Sequence, residues 1–313
     1  MEVFRRLSLD ATVQTKNIPS SFLLDETGAL YACGNNAYSQ LGFGDSSDRP
    51  IFTKVSLDET VKTVVAGNHS TYILTANGAL YTCGYNLFGQ LGLGYNSYQS
   101  TLQRVSLEEK AQTVVTGSGS TYVLTVSGAL YACGNNVYGQ LGLGNNESRS
   151  TLTRVPLEEN VKTVAVDGSS AYVLTVSGAL YTCGYNGYGQ LGLGDSSGRP
   201  TLTKVPLVES AKAVIIANGS TFVLTRSGAL YACGYNGYGQ LGLGDDQERS
   251  VLTRVSLEES VKTVVTDGSS TFVTTVSEAF YACGYNGFGQ LGLEDDRHQS
   301  TLQRVPVTEE VKT

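Results

Sequence analysis

The chain has 313 residues, with 28 acidic against 21 Lys and Arg residues and a formal net charge of −7. This balance argues against nucleic acid as a partner, because phosphate binding needs a basic surface. The N-terminal residues lack the apolar segment of a secretory signal, and no apolar run is long enough to span a membrane, so we expect a cytoplasmic or nuclear protein with no membrane partner. The 37 glycines and 19 tyrosines favour an all-β chain with many tight turns.

A repeat of fifty residues organises the sequence. The six cysteines, at positions 33, 83, 133, 183, 233 and 283, mark one repeated position rather than a disulfide framework. Successive copies carry no insertion or deletion. The copies cover approximately residues 13–60, 61–110, 111–160, 161–210, 211–260 and 261–313.

Each copy is predicted to contain four antiparallel strands, A to D. They are represented by VKTVV (Val261–Val265), STYVLTV (Ser120–Val126), ALYACG (Ala129–Gly134) and TLTRV (Thr151–Val155). Four strands in about fifty residues are typical of a propeller blade. The sequence therefore predicts an all-β propeller of six four-stranded blades, forming a single domain over residues 1–313.

The two ends of the chain resemble the connection from strand D to the next strand A. These end segments are Arg5–Thr15 and Thr301–Thr313. We expect one end to complete the blade begun by the other, which would hide the open sheet edges. We also expect the protein to be monomeric.

A glycine-rich loop, GYNGYGQLGLGDDQERS in copy five (Gly234–Ser250), joins strands C and D. It lacks the Gly-Lys-Ser/Thr ending and the following helix of a nucleotide-binding loop, and it occurs six times. We interpret it as structural: the glycines turn the chain, Asn and Gln side chains bond to loop backbone, and Leu141 and its equivalents fill the gap between blades. Cysteines of neighbouring blades are expected to lie more than about 7 Å apart between Cα atoms, which is too far for a disulfide. We interpret them as uncharged side chains that fill space.

Residues that could perform catalysis are sparse. The only histidines, His69 and His298, lie at different repeat positions, and no serine and carboxylate accompany them as a triad. The acidic clusters GDDQE and EDDRH lack the alternating oxygen spacing of a dedicated calcium loop. We therefore expect no hydrolytic or redox activity, no cofactor and no metal, although a calcium-dependent or lectin-like ligand binder remains an alternative.

The recurring segment GALYACGYNGYGQLGLGD resembles the regulator of chromosome condensation repeat. The matching positions in copy three are Gly134, Asn136, Gly139, Gln140, Leu141 and Gly142. The resemblance covers essentially the whole chain. Departures are Cys133 where that family usually has tryptophan, Ser39 in place of a glycine in copy one, and six copies against seven blades in the founding member, so a truncated seven-bladed propeller is an alternative.

The resemblance implies a protein-interaction function. Some members are guanine-nucleotide exchange factors for the small GTPase Ran, and bacterial effectors with these repeats can target that pathway inside a host cell. Others are interaction modules or inhibitors. The resemblance thus implies binding or regulation of a Ran-type GTPase, at most with exchange activity; the alternative is an interaction or inhibitor scaffold without a GTPase partner. In the founding member an inserted hairpin is the wedge for exchange, and no copy here carries an insertion.

Differences between the copies cluster in the A–B and C–D loops, which leave an up-and-down blade on the same face. We expect this face to bind a partner through exposed aromatic anchors and acidic side chains that steer a basic surface. The candidate residues are His69, Tyr85, Leu87, Tyr95 and Tyr98 in copy two, the tyrosines Tyr185, Tyr235 and Tyr285, and the acids Asp245, Asp246, Asp295 and Asp296, beside Glu248 and Glu294. An alternative is that the tyrosines lie flat over neighbouring loops.

Two further patterns yield predictions. The opposite face carries repeated carboxylates in the D–A returns, which we interpret as a solvated, self-balanced surface. In copy six, Glu278 and Glu294 replace repeated glycines, and we predict a positive φ at both, at a cost of about 1 kcal/mol each. The repeated carboxylates are Asp58, Glu59, Glu108, Glu109, Glu158, Glu159, Glu258 and Glu259.

Overall fold

A computed structural model describes residues 4–5 and 20–306. These residues form six four-stranded antiparallel sheets, and the described part of the chain contains no helix. The predicted all-β architecture of six four-stranded blades is thereby confirmed. The chain divides into two compact units, Met1–Val164 (unit 1) and Ala165–Thr313 (unit 2), with the boundary inside the first strand of blade 4. Assignment of the whole chain to a single domain stays a prediction.

Unit 1 contains blades 1 to 3, each with its strands hydrogen-bonded in chain order. Blade 1 consists of β1 (Phe4–Arg5), β2 (Ser20–Asp25), β3 (Leu30–Gly34) and β4 (Arg49–Lys54). Blade 2 consists of β5 (Val61–Gly67), β6 (Ser70–Thr75), β7 (Leu80–Gly84) and β8 (Gln99–Arg104). Blade 3 consists of β9 (Ala111–Thr116), β10 (Ser120–Thr125), β11 (Leu130–Gly134) and β12 (Arg149–Arg154).

Blades 4 to 6 follow the same pattern, and apart from the start of β13 they belong to unit 2. Blade 4 consists of β13 (Val161–Asp167), β14 (Ser170–Thr175), β15 (Leu180–Gly184) and β16 (Arg199–Lys204). Blade 5 consists of β17 (Ala211–Ala217), β18 (Ser220–Thr225), β19 (Leu230–Gly234) and β20 (Arg249–Arg254). Blade 6 consists of β21 (Val261–Thr266), β22 (Ser270–Thr275), β23 (Phe280–Gly284) and β24 (Gln299–Arg304).

The fourth strand of each blade starts earlier than its sequence suggests. In blade 3 the strand begins at Arg149 rather than at the predicted Thr151, because Gly134 at the end of β11 pairs with Arg149 across a bulge. Gly134 has a φ of +98°, and a Cβ there would collide with the carbonyl oxygen of Gly119. Glycine is therefore required where strand C meets the A–B loop.

The hydrophobic core lies between consecutive blades. All six residues of β6 are buried, because blades flank it on both sides. Ile73 packs in a cluster with Leu30 and Leu41 of blade 1, whereas Tyr72 and Leu74 point into a second cluster with blade 3. Unit 2 repeats this arrangement between blades 4 and 5 and between blades 5 and 6. Strands β6 and β18, each between two blades, therefore have no solvent-exposed face, in contrast to a half-exposed sheet.

The C–D loops of blades 1, 2, 4 and 5 also pair with the outer strand of the following blade. Phe43 forms an antiparallel bridge with Thr101, and the amide of Gly44 donates to the carbonyl of Ser100 at 2.7 Å. The same bridge joins Leu193 to Val251 in unit 2. These bonds use backbone groups of the outer strand that would otherwise be free to pair with another chain.

The predicted closure by the two chain ends lies largely outside the described residues. Strand β1 supplies the first strand of blade 1 by pairing Phe4 with Asp25 and Arg5 with Leu24. Residues 6–19 and 307–313 are outside the described part, so the expected completion of one blade by both ends stays a prediction.

The glycine substitutions in copy six have the predicted backbone conformation. Gly44, Gly94, Gly144, Gly194 and Gly244 have φ values between +87° and +98°, and the equivalent Glu294 has a φ of +65°. Glu278 likewise has a φ of +64°, at a position where the other copies have glycine. A non-glycine residue in this region is strained.

Glu294→Gly is therefore expected to stabilise the chain by about 1 kcal/mol, because glycine adopts the left-handed conformation without strain. Urea unfolding followed by circular dichroism measures the change. The control is Asp296→Gly, two residues away and without a positive φ, which is expected to be neutral or slightly destabilising. Equal effects of the two variants would contradict the strain at Glu294.

Candidate functional site

The C–D loop is held rigid by a buried asparagine. In blade 3 the side chain of Asn136 is fully buried, and its Oδ1 accepts from the Leu141 amide at 2.9 Å. Its Nδ2 donates to the carbonyls of Asn145 and Glu147 at 2.8 and 3.0 Å. Gln140 Oε1 accepts from the amide of Tyr138 at 3.0 Å. The interpretation of the repeated Asn and Gln of the C–D loop as structural is confirmed.

Within each unit, the same loop anchors a blade to the following one. In unit 1 the carbonyl of Gln40 accepts from Thr71 Oγ1 at 2.7 Å and from Cys83 Sγ at 3.5 Å. In unit 2 the carbonyl of Gln190 accepts from Thr221 at 2.9 Å and from Cys233 at 3.5 Å. Burial raises the pKa of Cys83 to about 12, so this thiol is protonated at neutral pH. The buried cysteines therefore fill space, as predicted.

On the loop face of unit 1, five aromatic side chains form one cluster. The ring centroids of Tyr85 and Tyr98 are 5.3 Å apart, and that of Tyr38 lies 5.7 Å from Tyr85 and 6.2 Å from Tyr98. His69, from the A–B loop of blade 2, packs on Tyr38 at 4.3 Å, and Phe88 contacts Tyr85 at 6.2 Å. We call these five residues the aromatic cluster. Three of its members, His69, Tyr85 and Tyr98, were predicted from sequence.

The loop around this cluster presents apolar side chains to solvent. Tyr95 and Tyr98 are 43% and 46% exposed, and Leu87 is 51% exposed. Tyr95 uses only its backbone carbonyl in the loop, as the acceptor for Asn86 Nδ2 at 2.7 Å. Its phenol ring therefore contributes nothing to the hydrogen bonds that hold the loop.

Unit 2 carries a continuous row of aromatic rings on its loops. Tyr188 contacts Tyr235 at 5.3 Å, and Tyr238 contacts Tyr285 at 5.2 Å, in edge-to-face arrangements that aromatic pairs prefer. The row is the set Tyr185, Tyr188, Tyr235, Tyr238, Tyr285 and Phe288, and we call it the aromatic row. It brings together the three predicted tyrosines of copies four to six.

These tyrosines also cover their own loops. A Cβ on Gly237 would lie 2.8 Å from Tyr235 Cζ, and a Cβ on Gly287 would lie 2.8 Å from Tyr285 Cζ. Tyr235 and Tyr285 are accordingly half-buried. The alternative that the tyrosines lie flat over loops is thus partly correct: each ring covers a glycine of its own loop, and the side chain stays partly exposed.

The four candidate acids fall into two classes. Asp245 pairs with Arg249 at 2.5 Å, and Asp295 pairs with Arg297 at 2.7 Å, so both carboxylates are engaged within their own loops. Hydrogen bonds from these arginines hold the pKa of Asp245 and Asp295 below the usual range. Asp246 and Asp296 are exposed, and no ion pair to either is found within residues 20–306.

The sequence favours a structural role for the aromatic residue that precedes the GQLG motif, at positions 38, 88, 138, 188, 238 and 288. Tyr38, Tyr188 and Tyr238 each contact an aromatic ring of the following C–D loop, whereas the same position in copy six, Phe288, is 87% exposed. The sequence shows an aromatic residue at this position in every copy, but it does not show which of these rings are packed and which are exposed.

The sequence matches the family model of the RCC1-like domain over residues 18–266. The chain belongs to the RCC1-like domain family. Its loop geometry agrees with this assignment, since the Gly, Asn, Gln and Leu positions of the repeat are those that build the buried loop frame. No curated protein matches the sequence significantly.

Solved structures resemble this RCC1-like chain along most of its length. Human WBSCR16 is 24% identical with a TM-score of 0.72, and the match covers 92% of this chain and 80% of that one. Yeast RCC1 (Prp20) bound to Kap60 is 18% identical with a TM-score of 0.69, covering 92% and 73%. Prp20p from Saccharomyces cerevisiae, studied with its binding to Gsp1p and histones, is 18% identical with a TM-score of 0.68, covering 92% and 75%. The fold is therefore a β-propeller.

Two features are absent from the described residues of the RCC1-like chain. Within the part of the chain that the structure describes, no three His, Cys, Asp or Glu side chains come together in a group that could hold a metal ion. No helix long and apolar enough to cross a membrane occurs in residues 4–5 and 20–306.

The carboxylates of the D–A returns are more ordered than the sequence suggests. Glu59 accepts from Tyr81 OH at 2.7 Å and from Asn77 Nδ2 at 2.8 Å, and Glu259 accepts from Tyr281 OH at 3.0 Å and from Ser277. The predicted solvated surface therefore describes the exposed Asp58 and Glu258, whereas Glu59 and Glu259 fasten the B–C turn to the return.

Acid is expected to destabilise the RCC1-like chain through these carboxylates. Hydrogen bonds from Ser277, Thr275 and Tyr281 lower the pKa of Glu259 below its usual 4.5, so the unfolded state binds protons more readily. The stabilisation is complete above about pH 4.5 and is lost as the pH falls through the lower folded-state pKa. Urea midpoints measured from about pH 6 down to about pH 3 should fall less steeply in Glu259→Gln than in the wild type.

The matched control for that measurement is the adjacent, exposed Glu258. Glu258→Gln is expected to keep the wild-type acid profile, because its side chain makes no hydrogen bond to the B–C turn in the described residues. If the two glutamine variants gave the same pH dependence, Glu259 would not be the responsible group.

Proposed function

We propose that this chain is a protein-interaction propeller that binds a small GTPase, of Ran type by family resemblance, through its A–B and C–D loops. The observation that carries the proposal is the division between buried frame and exposed loop. Asn86 and Gln90 are buried and hold the C–D loop of blade 2, while Leu87, Tyr95 and Tyr98 of that loop are exposed. Exposed aromatic side chains on a rigid support are frequent anchors of protein interfaces.

Family membership supports a partner of this kind. The structure of Prp20p is described together with its binding to Gsp1p and histones. An exchange factor needs no catalytic acid or base, because it acts by stabilising the nucleotide-free GTPase. Binding to such a partner is therefore compatible with the absence of a catalytic triad in the sequence.

A second candidate function is an interaction or inhibitor scaffold with no GTPase partner. It is favoured by the strict fifty-residue spacing of the copies, since the described residues of the blades include no inserted hairpin that could act as an exchange wedge. Delivery into a host cell as a bacterial effector belongs to the GTPase proposal and has the same test.

Release of a fluorescent GDP analogue from Ran and a small panel of other GTPases, with binding scored in parallel, tests the proposal. Accelerated release would establish an exchange factor that works without an inserted wedge. Binding without release would identify a GTPase scaffold. If the chain showed neither binding nor release, the GTPase assignment would be overturned and the scaffold function would remain.

A further inference from the structure

The loop faces of the two units differ sharply in charge. In unit 1 the described A–B and C–D loops and their flanking strand residues carry Asp45, Asp48, Glu147, Arg49 and Arg149. The corresponding segments of unit 2 carry Asp167, Asp195, Asp245, Asp246, Glu248, Asp267, Glu294, Asp295, Asp296, Arg199, Arg249 and Arg297. Unit 2 therefore concentrates most of the net charge of −7 on one set of loops.

Part of this charge is neutralised within the loops. Arg199, Arg249 and Arg297 each pair with an aspartate of their own loop, at 2.6, 2.5 and 2.7 Å. Asp167 accepts from the Gly219 amide at 2.7 Å, and Asp267 accepts from the Ser270 amide at 2.7 Å. The remaining carboxylates, all in exposed residues, are Asp246, Glu248, Glu294 and Asp296.

One of these four carboxylates adjoins the aromatic row: Glu248 occupies the repeat position of Tyr98 and His298, whose rings contact Tyr85 and Tyr285. Glu248 lies close enough to Tyr235 to contribute to the raised pKa of its phenol, behind burial and the neighbouring tyrosines. The end of the blade 6 loop sits on the start of the blade 5 loop, because His298 contacts Tyr238 at 6.0 Å and a Cβ on Gly239 would lie 2.6 Å from Ser300 Cα. The C–D loops of blades 5 and 6, which carry the four exposed carboxylates, therefore meet at Tyr238.

We infer that this surface of unit 2 docks an arginine-bearing basic segment of a partner protein. A guanidinium group stacks on an aromatic ring and bonds to a carboxylate with two parallel N–H groups, and both kinds of acceptor stand side by side here. A lysine ammonium matches the charge but not the stacking geometry. The inference deepens, and rests on, the proposed function that the loop face binds proteins.

The arrangement favours a basic segment over a metal ion. Two of the aspartates that could join a cation site, Asp245 and Asp295, already bind arginine side chains. A calcium ion needs six to eight oxygen ligands, whereas the exposed acids are spread over two loops. Charge complementarity therefore selects an extended basic partner.

The probe is a fluorescein-labelled dodecapeptide of alternating arginine and glycine, with a lysine–glycine peptide as its counterpart. Fluorescence anisotropy measures binding to the full chain at about 50 and about 150 mM salt, because screening weakens exposed charge pairs. We expect the arginine peptide to bind more tightly than the lysine peptide, and both to weaken as salt rises.

The decisive variant replaces the four exposed carboxylates together, as Asp246→Asn, Glu248→Gln, Glu294→Gln and Asp296→Asn. We expect about a tenfold loss of affinity for the arginine peptide. The matched control removes four exposed carboxylates from the opposite face, as Asp58→Asn, Glu108→Gln, Glu158→Gln and Glu258→Gln, and is expected to change affinity less than about twofold. Circular dichroism verifies that both variants are folded.

Three outcomes would overturn the inference: equal losses in the two quadruple variants, equal affinity of the arginine and lysine peptides, or peptide binding that requires added Ca²⁺. The GTPase panel is independent of this assay. Peptide binding without GTPase binding would retain the basic-segment surface and remove the GTPase. If the GTPase bound regardless of the four substitutions and the peptide did not bind, the GTPase proposal would be retained and the basic-segment surface would be removed.

Discussion

Asn136→Ala is expected to destabilise the chain by about 3 to 5 kcal/mol, the largest stability loss among the substitutions considered. The side chain is fully buried and bonds to the backbone of Leu141, Asn145 and Glu147 at 2.8 to 3.0 Å. Truncation leaves one amide and two carbonyls without these partners. Each buried group that loses its partner costs about 1 to 3 kcal/mol.

The adjacent Asn135 supplies a matched control. It has the same side chain but is half-buried, and its Oδ1 accepts only from the amide of Val137, at 3.1 Å. Asn135→Ala is expected to cost less than about 1 kcal/mol. Urea unfolding of both variants measures the difference. A loss below about 1 kcal/mol in Asn136→Ala would show that the loop does not depend on this asparagine.

The double substitution Tyr95→Ala and Tyr98→Ala is expected to weaken binding of the protein partner by about 2 to 4 kcal/mol, or roughly 30- to 1000-fold. Both phenol rings are nearly half exposed, and the loop is held by Asn86, which bonds to the backbone carbonyls of Tyr95 and Ser97. The hydrogen bonds that hold the loop should therefore remain, and the loss of stability is limited to the ring contacts of Tyr98 with Tyr38 and Tyr85. Titration of the GTPase that scores in the panel, by isothermal calorimetry, measures the loss.

Two controls separate recognition from a general effect. Tyr95→Phe with Tyr98→Phe retains the rings and is expected to keep most of the affinity. Val126→Ala with Val276→Ala removes exposed apolar side chains from the B–C turns, where the valines are 68% and 66% exposed, and is expected to leave binding unchanged. Undiminished affinity in the double alanine variant would discard the assignment of the binding face.

Family membership and strict spacing lead to different functions for the same surface. The RCC1-like fold supports a GTPase partner, and the absence of an inserted hairpin from residues 20–306 supports a scaffold. Charge adds a distinction between the units, since the loops of unit 1 are aromatic and nearly neutral while those of unit 2 are aromatic and acidic. A partner that uses both surfaces would need an apolar region and a basic segment.

The sequence by itself determined the six blades, their four strands and the left-handed positions at Glu278 and Glu294. Such features depend on local chemistry repeated at a fixed interval: alternating apolar residues, turn residues and glycines that only a positive φ explains. The structural role of Asn136 and Leu141 followed for the same reason. The start of strand D did not follow, because the bulge that pairs Gly134 with Arg149 depends on the partner strand.

Only the tertiary structure decided which polar and aromatic side chains of the loops are available. Asp245 and Asp246 are neighbours of the same type, yet Arg249 engages the first and leaves the second exposed. Tyr238 and Phe288 occupy one repeat position, yet they are 37% and 87% exposed. Composition and period cannot distinguish these cases, because pairing and burial are set by side chains that lie far apart in the sequence and meet only in the folded loops.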